Sequence, residues 1–356
     1  MLDITPKPDF QRFLDVLMLR KAYRRPPLFD FHVDHRHKAD ILGREVKTPA
    51  DDVEFWRVAG YDYVQFTIHV AARELAESKG MAKGDASTHG SDNDVITSLE
   101  QFRSREWSWQ AAAEGDLACC EERLEWLGEL LKVAPPEMKI IVHNADIFTL
   151  AWEMIGFTSF CMKSYEEPEL IREVMDSLAA AQLNVTREAV KIAGEATGCV
   201  FYSDDIAYTE GLMMSPDFFR DYLFDHIAAF GKIGQAVGAP LIYHTDGRLY
   251  EAFDDFARIG VRGVQPLEPK SMDPLEIKRR WPGKFCLMGN IDLDTMGRGT
   301  PDEVEAHVRD RVETVGAGGG FMPGVSNTVP YYVKIENYRR MIETVHSYPD
   351  GEIDVA

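Results

Sequence analysis

The residues most able to do chemistry form the segment Tyr243-His244-Thr245-Asp246-Gly247. An imidazole and a carboxylate flank one residue, so both can leave the same side of an extended strand. They can bind zinc or another divalent metal, with Asp205 or Glu268 as a third ligand. They can equally act as a general acid and base or bind a polar substrate. A structural role also stays open, in which His244 covers a core and Asp246 caps a helix.

Other polar residues could complete such a site. Asp204 and Asp205 are adjacent, and alternation along a strand allows only one of them to face it, for which we choose Asp205. We therefore predict three catalytic residues, Asp205, His244 and Asp246, and three metal ligands, His244, Asp246 and Glu268. The predicted substrate-binding residues are His32, Arg36, His143, Asn290 and Asn327.

These residues follow short apolar segments that alternate with stretches of helical spacing. Such alternation indicates parallel strands joined by helices, and about eight strands close a barrel whose chemistry gathers at the carboxyl ends. The segments are 28–33, 61–68, 139–142, 199–202, 240–243, 261–266, 285–289 and 320–323. We predict an α/β fold, a single (β/α)8 TIM-type barrel with an insertion after the second strand.

The predicted insertion spans residues 74–131. Its first part, 74–94, is polar and rich in glycine, which predicts a mobile surface loop, and its second part, 96–131, contains many helix formers. It could be a lid over one end of the barrel or a solvated insertion with no role. We treat 1–356 as one domain.

Charge and composition exclude some functions. Lys and Arg number 39 and Asp and Glu number 59, which gives a net charge of −20 in a 356-residue chain that is 45% hydrophobic. Such a charge repels phosphate backbones and anionic lipids, so we expect neither nucleic acid nor membrane as a partner. The chain has no run of about 18 apolar residues and no pattern of a signal peptide, so we expect a cytoplasmic protein.

The second half of the chain resembles the uroporphyrinogen decarboxylase superfamily, which also contains zinc-dependent corrinoid methyltransferases. The resemblance covers about residues 198–348 and implies a (β/α)8 barrel. It lies in Tyr243-His244-Thr245-Asp246-Gly247, Met288-Gly289-Asn290-Ile291-Asp292, Gly299-Thr300-Pro301-Asp302-Glu303-Val304, Pro323-Gly324-Val325-Ser326-Asn327 and Glu336-Asn337-Tyr338. Asp204-Asp205 followed by Leu212-Met213-Met214-Ser215-Pro216 fits the same superfamily.

The motifs of the true decarboxylases are not retained. Their arginine-rich R-Q-A-G-R motif, which holds the substrate propionates, is replaced by Phe31-His32-Val33-Asp34-His35-Arg36-His37. The aspartate of their F-S-D segment has no carboxylate counterpart in Phe66-Thr67-Ile68, and the histidine of their G-H-G segment is absent around Val325-Ser326-Asn327.

The methyltransferases of the superfamily bind zinc with an H-x-C motif and a distant cysteine. His244 matches their histidine, whereas Asp246 replaces the first cysteine and Val325 or Ser326 lies near the second. The resemblance thus implies an oxygen-rich site for a divalent metal, with zinc as first choice.

Three functional hypotheses follow. The first is a metal-assisted methyltransferase that moves a methyl group between a small substrate and the corrinoid of a partner protein. The second is a decarboxylase of uroporphyrinogen or another polycarboxylate, with Arg36, Arg73 and Arg248 available to bind anions. The third is a non-catalytic binding barrel. A homodimer is a candidate assembly for this superfamily.

Overall fold

The computed structural model describes residues 2–68, 70–71 and 95–355. Its main element is a seven-stranded sheet in which neighbouring strands are parallel and follow one another in chain order. The strands are β1 (Tyr63–Thr67), β2 (Lys139–Ala145), β3 (Thr197–Ser203), β4 (Leu241–His244), β5 (Val261–Gln265), β6 (Cys286–Ile291) and β7 (Phe321–Val325). The α/β fold of TIM-barrel type is therefore confirmed, and seven of the predicted apolar segments overlap its strands.

The prediction of a first strand over residues 28–33 is wrong. This segment is irregular and forms only one isolated bridge, between Val33 and Val329. Pro26 and Pro27 precede it and have no amide hydrogen to donate to a sheet. The side chain of Asp30, not the backbone, then accepts the hydrogen bond from the Val325 amide, at 2.8 Å.

Segment 28–33 nevertheless joins the two edges of the sheet. The Phe29 amide donates to the carbonyl of Pro323 in β7, at 3.0 Å, and the Tyr63 hydroxyl of β1 donates to the Asp30 carbonyl, at 2.6 Å. Gly324 permits this approach, since a Cβ at that position would lie 1.8 Å from the Phe29 carbonyl oxygen. The sheet is thus curled, and this segment lies between its first and last strands.

Helices follow the strands and cover the outside of the sheet, because parallel strands need long crossover connections. Two of them begin with a complete capping box, at Thr48 and at Thr300, each followed by a proline in the first turn. The α-helices are Phe10–Leu17, His35–Leu42, Pro49–Val58, Leu99–Ser104, Ser108–Ala113, Glu121–Val133, Phe148–Ile155, Phe157–Glu166, Pro168–Ala193, Pro216–Tyr222, Phe224–Gln235, Phe253–Arg258, Pro274–Arg280, Leu293–Arg298, Pro301–Thr314 and Ile335–His346.

Aromatic side chains fill the interior between the strands. The Phe13 ring lies 5.4 Å from that of Tyr63, and the Phe29 ring lies 5.6 Å from that of Phe201. Phe31 lies above them, with its ring 5.5 Å from Phe201 and 4.4 Å from His244. A packed interior of this kind leaves the carboxyl ends of the strands as the place for chemistry.

The predicted loop over 74–94 lies outside the described residues. Three helices lie in the predicted helical part of the insertion, Leu99–Ser104, Ser108–Ala113 and Glu121–Val133. The Asn184 side-chain amide donates to the carbonyls of Ala112 and Ala113, at 3.0 and 2.9 Å, so the second of these helices is fixed to the long helix Pro168–Ala193. A lid role and the extent of the single domain stay predictions. Among the described residues, no helix combines the length and apolar character needed to cross a bilayer.

Candidate active site

The turn after β4 presents His244 and Asp246 at the carboxyl end of the sheet. Gly247 has φ +85°, and a Cβ there would lie 2.6 Å from the Tyr208 carbonyl oxygen, so this turn requires glycine. The Gly247 amide donates to Glu268 Oε2 at 3.0 Å, and the Ser271 hydroxyl donates to the same oxygen at 3.1 Å. Glu268 therefore holds the turn in place.

His244 is 5% exposed and lies at the end of β4 against the Phe31 ring. Its Nδ1 is hydrogen-bonded to Gln265 Oε1 of the neighbouring strand. Burial lowers the pKa of His244 below its ordinary value, although the nearby Asp205 carboxylate and the Gln265 hydrogen bond act to raise it. The ring is consequently favoured in its neutral form, which can offer a nitrogen lone pair to a metal or a proton.

Asp205, His244 and Asp246 converge on one point. His244 Nε2 lies 3.9 Å from Asp205 Oδ1 and 3.8 Å from Asp246 Oδ1, and one ligand atom from each residue lies within 4.8 Å of the others. Zinc bonds of about 2.0–2.2 Å require ligand atoms about 3.4 Å apart in a tetrahedral site. A contraction of about half an ångström would therefore bring the two distances from His244 Nε2 to that spacing.

The Asp246 carboxylate has one occupied oxygen and one open oxygen. Oδ2 accepts a hydrogen bond of 2.6 Å from Asn327 Nδ2, whereas Oδ1 is buried and has no hydrogen-bond partner among the residues that the structure describes. Burial, followed by the negative charges of Asp205 and Glu268, raises the pKa of Asp246 well above its ordinary value. In the described part of the chain, no lysine or arginine nitrogen lies within 4.0 Å of the Asp205 or Asp246 carboxylates. A cation at this point would satisfy the buried oxygen.

The adjacent Asp204 has a different environment. It is 1% exposed, and its oxygens accept hydrogen bonds from the Tyr202 hydroxyl and from three amides at the start of the helix Phe148–Ile155, at 2.7–3.0 Å. Asp204 thus fixes a helix end. Asp205 accepts only the Asp246 amide in the described residues, at 3.0 Å, and lies beside His244.

Two of the predicted substrate-binding residues, His143 and Asn327, form hydrogen bonds within the protein. Both ring nitrogens of the buried His143 are hydrogen-bonded, to Thr67 Oγ1 at 3.1 Å and to Ser203 Oγ at 2.9 Å. Asn327 binds Asp246 through Nδ2 and the Thr328 amide through Oδ1. Asn327 thus supports Asp246 directly, and the substrate-binding roles of both residues stay predictions.

The other three predicted substrate-binding residues differ in accessibility. Asn290 is fully buried with φ +67°; its Nδ2 donates to the Leu267 carbonyl at 2.8 Å, and its Oδ1 has no partner. Arg36 is exposed and forms a two-pronged ion pair with Asp34, at 2.8 and 2.9 Å. His32 is exposed, and its carbonyl accepts the Val329 amide at 2.8 Å. His32 is not one of the residues whose ligand atoms converge beside His244, and the roles of all three in substrate binding stay predictions.

Known proteins resemble both the fold and the motifs of this chain. The sequence model named uroporphyrinogen decarboxylase (URO-D) matches residues 109–348, which is more than half of the chain. The chain belongs to the uroporphyrinogen decarboxylase family. The family resemblance predicted from the sequence motifs is thereby confirmed.

Two relatives illustrate the range of the family. Uroporphyrinogen decarboxylase of Pseudoalteromonas translucida (strain TAC 125) is 25% identical over 227 residues, which cover 60% of this chain and 60% of that protein. A solved structure of a methyltransferase from Methanosarcina mazei superposes with a TM-score of 0.64 at 18% identity, over 95% of this chain and 98% of that one. The second similarity shows a shared fold.

Two residues that the sequence analysis missed lie near the cluster of this family member. Gln265 binds His244, and its sequence signal was only its place at the end of a predicted strand. Asp146 follows β2 with φ +61°, an unusual conformation outside glycine. Burial and the charges of Asp204 and Asp205 raise the pKa of Asp146 well above its ordinary value. It was missed because β2 continues three residues beyond the predicted end at residue 142.

Proposed function

We propose that the chain is a metal-assisted methyltransferase that moves a methyl group between a small oxygen-containing substrate and the corrinoid of a partner protein. The observation that carries this proposal is the cluster of Asp205, His244 and Asp246. Two ligand atoms of the cluster are open, His244 Nε2 and Asp246 Oδ1. The fold shared with a methyltransferase supports the same choice.

The donor set fits a divalent metal. One imidazole nitrogen and two carboxylate oxygens suit zinc or a harder ion better than a soft one, because thiolate ligands are absent from the cluster. When bound, the ion would act as a Lewis acid that polarises the substrate oxygen from which the methyl group leaves. Asp205, His244 and Asp246 would hold it.

In the absence of substrate, residues of the chain already influence the protonation of the cluster and its contact with water. Burial favours the neutral form of the His244 ring, and burial with the negative charges of Asp205 and Glu268 raises the pKa of Asp246 and favours its neutral form when no cation is near. Phe31 and Phe201 cover the lower side of the His244 ring and exclude water from it. The substrate therefore approaches from the open carboxyl end of the strands.

The proposal is tested by metal analysis of the purified protein and by methylation of a reduced corrinoid. We expect one equivalent of zinc or another divalent ion and methyl transfer from methyl ethers or methanol. His244→Ala, Asp205→Asn and Asp246→Asn should lose the ion and the activity. A wild-type protein that binds no divalent ion, even after incubation with each candidate, would contradict the metal-assisted reaction.

A matched pair of variants decides the third ligand. Asp205 shares the cluster with His244 and Asp246, whereas Glu268 is hydrogen-bonded to Gly247 and Ser271. We expect Asp205→Asn to lose the ion, because the cluster then lacks one of its two carboxylate ligands. Glu268→Gln still accepts both hydrogen bonds and should retain the ion. The reverse result would assign Glu268 as the ligand.

Decarboxylation of a polycarboxylate is the second candidate, favoured by the family match and by the curated relative. It requires cations that bind carboxylates, and Arg36 is already paired with Asp34 while Arg73 lies outside the described residues. Arg248 remains as an exposed cation near the turn, stacked 5.7 Å from the Tyr250 ring centre. Conversion of uroporphyrinogen to coproporphyrinogen by the purified protein would establish this activity.

A further inference from the structure

We infer that Gln265, held by Asn327, is a positioning residue that selects the ring tautomer of His244 with the lone pair on Nε2. The consequence for metal binding rests on the proposed function, whereas the tautomer itself does not. Gln265 is fully buried at the end of β5, and His244 is its partner in the parallel pairing of β4 with β5. No assigned role of the site includes this glutamine.

The direction of each hydrogen bond follows from one carbonyl group. The main-chain carbonyl of Asn327 can only accept, so the Gln265 atom that contacts it at 3.2 Å must be the donor Nε2. The other end of the amide, Oε1, then contacts His244 Nδ1 and can only accept. His244 Nδ1 must therefore carry the hydrogen, and in the neutral ring Nε2 carries the lone pair.

The Nε2 atom selected in this way is the one that contacts the carboxylates. It lies 3.9 Å from Asp205 Oδ1 and 3.8 Å from Asp246 Oδ1. The opposite tautomer would direct an N–H group at this point and would prevent metal coordination through Nε2. Burial of Gln265 keeps water from competing for Nδ1, so the preference should be strong.

Asn327 also orients the second ligand. Its Oδ1 accepts the Thr328 amide at 2.6 Å, which directs Nδ2 to Asp246 Oδ2 at 2.6 Å. This contact occupies one oxygen of Asp246 and leaves Oδ1 open on the side of His244. The main chain of Asn327 thus acts on His244 through Gln265, and its side chain acts on Asp246 directly.

The test compares Gln265→Met with Gln65→Met. Gln65 is also a buried glutamine on a strand of the sheet, but neither of its amide atoms has a hydrogen-bond partner. Nitrogen-15 NMR of the histidine rings, with the His244 signals assigned from His244→Ala, should show protonated Nδ1 in the wild type and in Gln65→Met. We expect Gln265→Met to populate both tautomers and to bind zinc about 10–100-fold more weakly in competition with a chelator.

A third variant separates the hydrogen bond from general disturbance of the fold. Gln265→Glu keeps an acceptor for His244 Nδ1 but cannot donate to Asn327, so it should restore the Nδ1-protonated tautomer. Protonated Nε2 in the wild type, or an unchanged tautomer in Gln265→Met, would overturn the inference.

The outcomes distinguish this inference from the proposed function. A wild-type protein with protonated Nδ1 that binds no divalent ion keeps the positioning role and removes the metal-assisted reaction. A protein that loses zinc in His244→Ala, but whose tautomer and zinc affinity are unchanged in Gln265→Met, keeps the proposed function and removes the positioning role.

Discussion

Two neighbouring carboxylates, Asp204 and Asp205, show how one strand end serves both the fold and the site. Asp204 is buried and accepts hydrogen bonds on both oxygens from the Tyr202 hydroxyl and from three amides at the start of the helix Phe148–Ile155. Asp205 is 35% exposed in its side chain and lies beside the open atoms of His244 and Asp246. Residue type and neighbouring sequence are the same for both, so the difference comes from the number of oxygens that the protein itself satisfies.

At these two strand ends, an oxygen without a partner distinguishes Asp246 from Asp204 more clearly than burial does. Burial raises the pKa of Asp204, while its hydrogen bonds act to lower it, and the residue is part of the framework. Asp246 is also largely enclosed, but one of its oxygens has no partner. A buried acceptor without a donor costs free energy, and a site can tolerate that cost when a ligand supplies the missing partner.

The largest expected effect is the loss of stability in Asp204→Ala. This change leaves the Phe148 and Thr149 amides and the Tyr202 hydroxyl without their Asp204 acceptor in a buried position, and the Ile147 amide keeps only the Tyr202 oxygen. We expect a destabilisation of about 3 kcal/mol or more, measured as the free energy of unfolding in urea with a chelator present. Asp205→Ala, measured in the same way, should change that free energy by about 1 kcal/mol or less. Equal losses in the two variants would contradict the division between framework and site.

The same comparison explains what could be predicted from sequence. Buried parallel strands are apolar along their whole length, so seven of them were located as apolar segments. His244 and Asp246 were selected together because residues two apart share a face at a strand end. Both predictions depend on the local spacing of residue types, which can be read from a single sequence.

The features that were missed depend on register and on single hydrogen bonds. Gln265 binds His244 because β4 and β5 pair with these two residues opposite each other, which no local pattern reveals. Segment 28–33 is as apolar as a strand, but it forms one backbone hydrogen bond to β7, from the Phe29 amide, and the next contact to β7 is accepted by the Asp30 side chain. The sequence could indicate which residues are polar and near strand ends, and it could not indicate which of their atoms are already occupied.

Asp30 is a second buried carboxylate with hydrogen bonds to both oxygens, and we expect a smaller effect on stability there than at Asp204. It is fully buried, with Tyr61 donating to Oδ2 at 2.5 Å and the Val325 amide donating to Oδ1 at 2.8 Å. Burial nevertheless raises the pKa of Asp30 to about 7, against the effect of both hydrogen bonds. A carboxyl with raised pKa takes up its proton more readily in the folded protein than in the unfolded one. Its contribution to stability is therefore present below about pH 4 and is lost as the pH rises to about 7 and beyond.

Asp30→Asn removes this titration while keeping the shape of the side chain. We expect the difference between the wild type and Asp30→Asn in the urea midpoint of unfolding to change between pH 4 and pH 8, with the wild type losing its relative advantage as the pH rises. All other titrating groups are common to both proteins and cancel in the difference. A difference that stays constant over this range would show that Asp30 keeps its ordinary pKa.

The smallest effect on stability is expected at Asp34, a carboxylate near the protein surface that is hydrogen-bonded to Arg36. The Arg36 guanidinium holds the pKa of Asp34 at about 2 through a two-pronged hydrogen bond, but Arg36 is more than half exposed in its side chain. Ion pairs in contact with water are screened and add little to stability. We expect Arg36→Ala to unfold at the same urea concentration as the wild type. It should also retain the divalent ion, because the proposed ligands are Asp205, His244 and Asp246. A loss of substrate affinity in Arg36→Ala, rescued by Arg36→Lys, would instead restore Arg36 as an anion-binding residue and favour the polycarboxylate reaction.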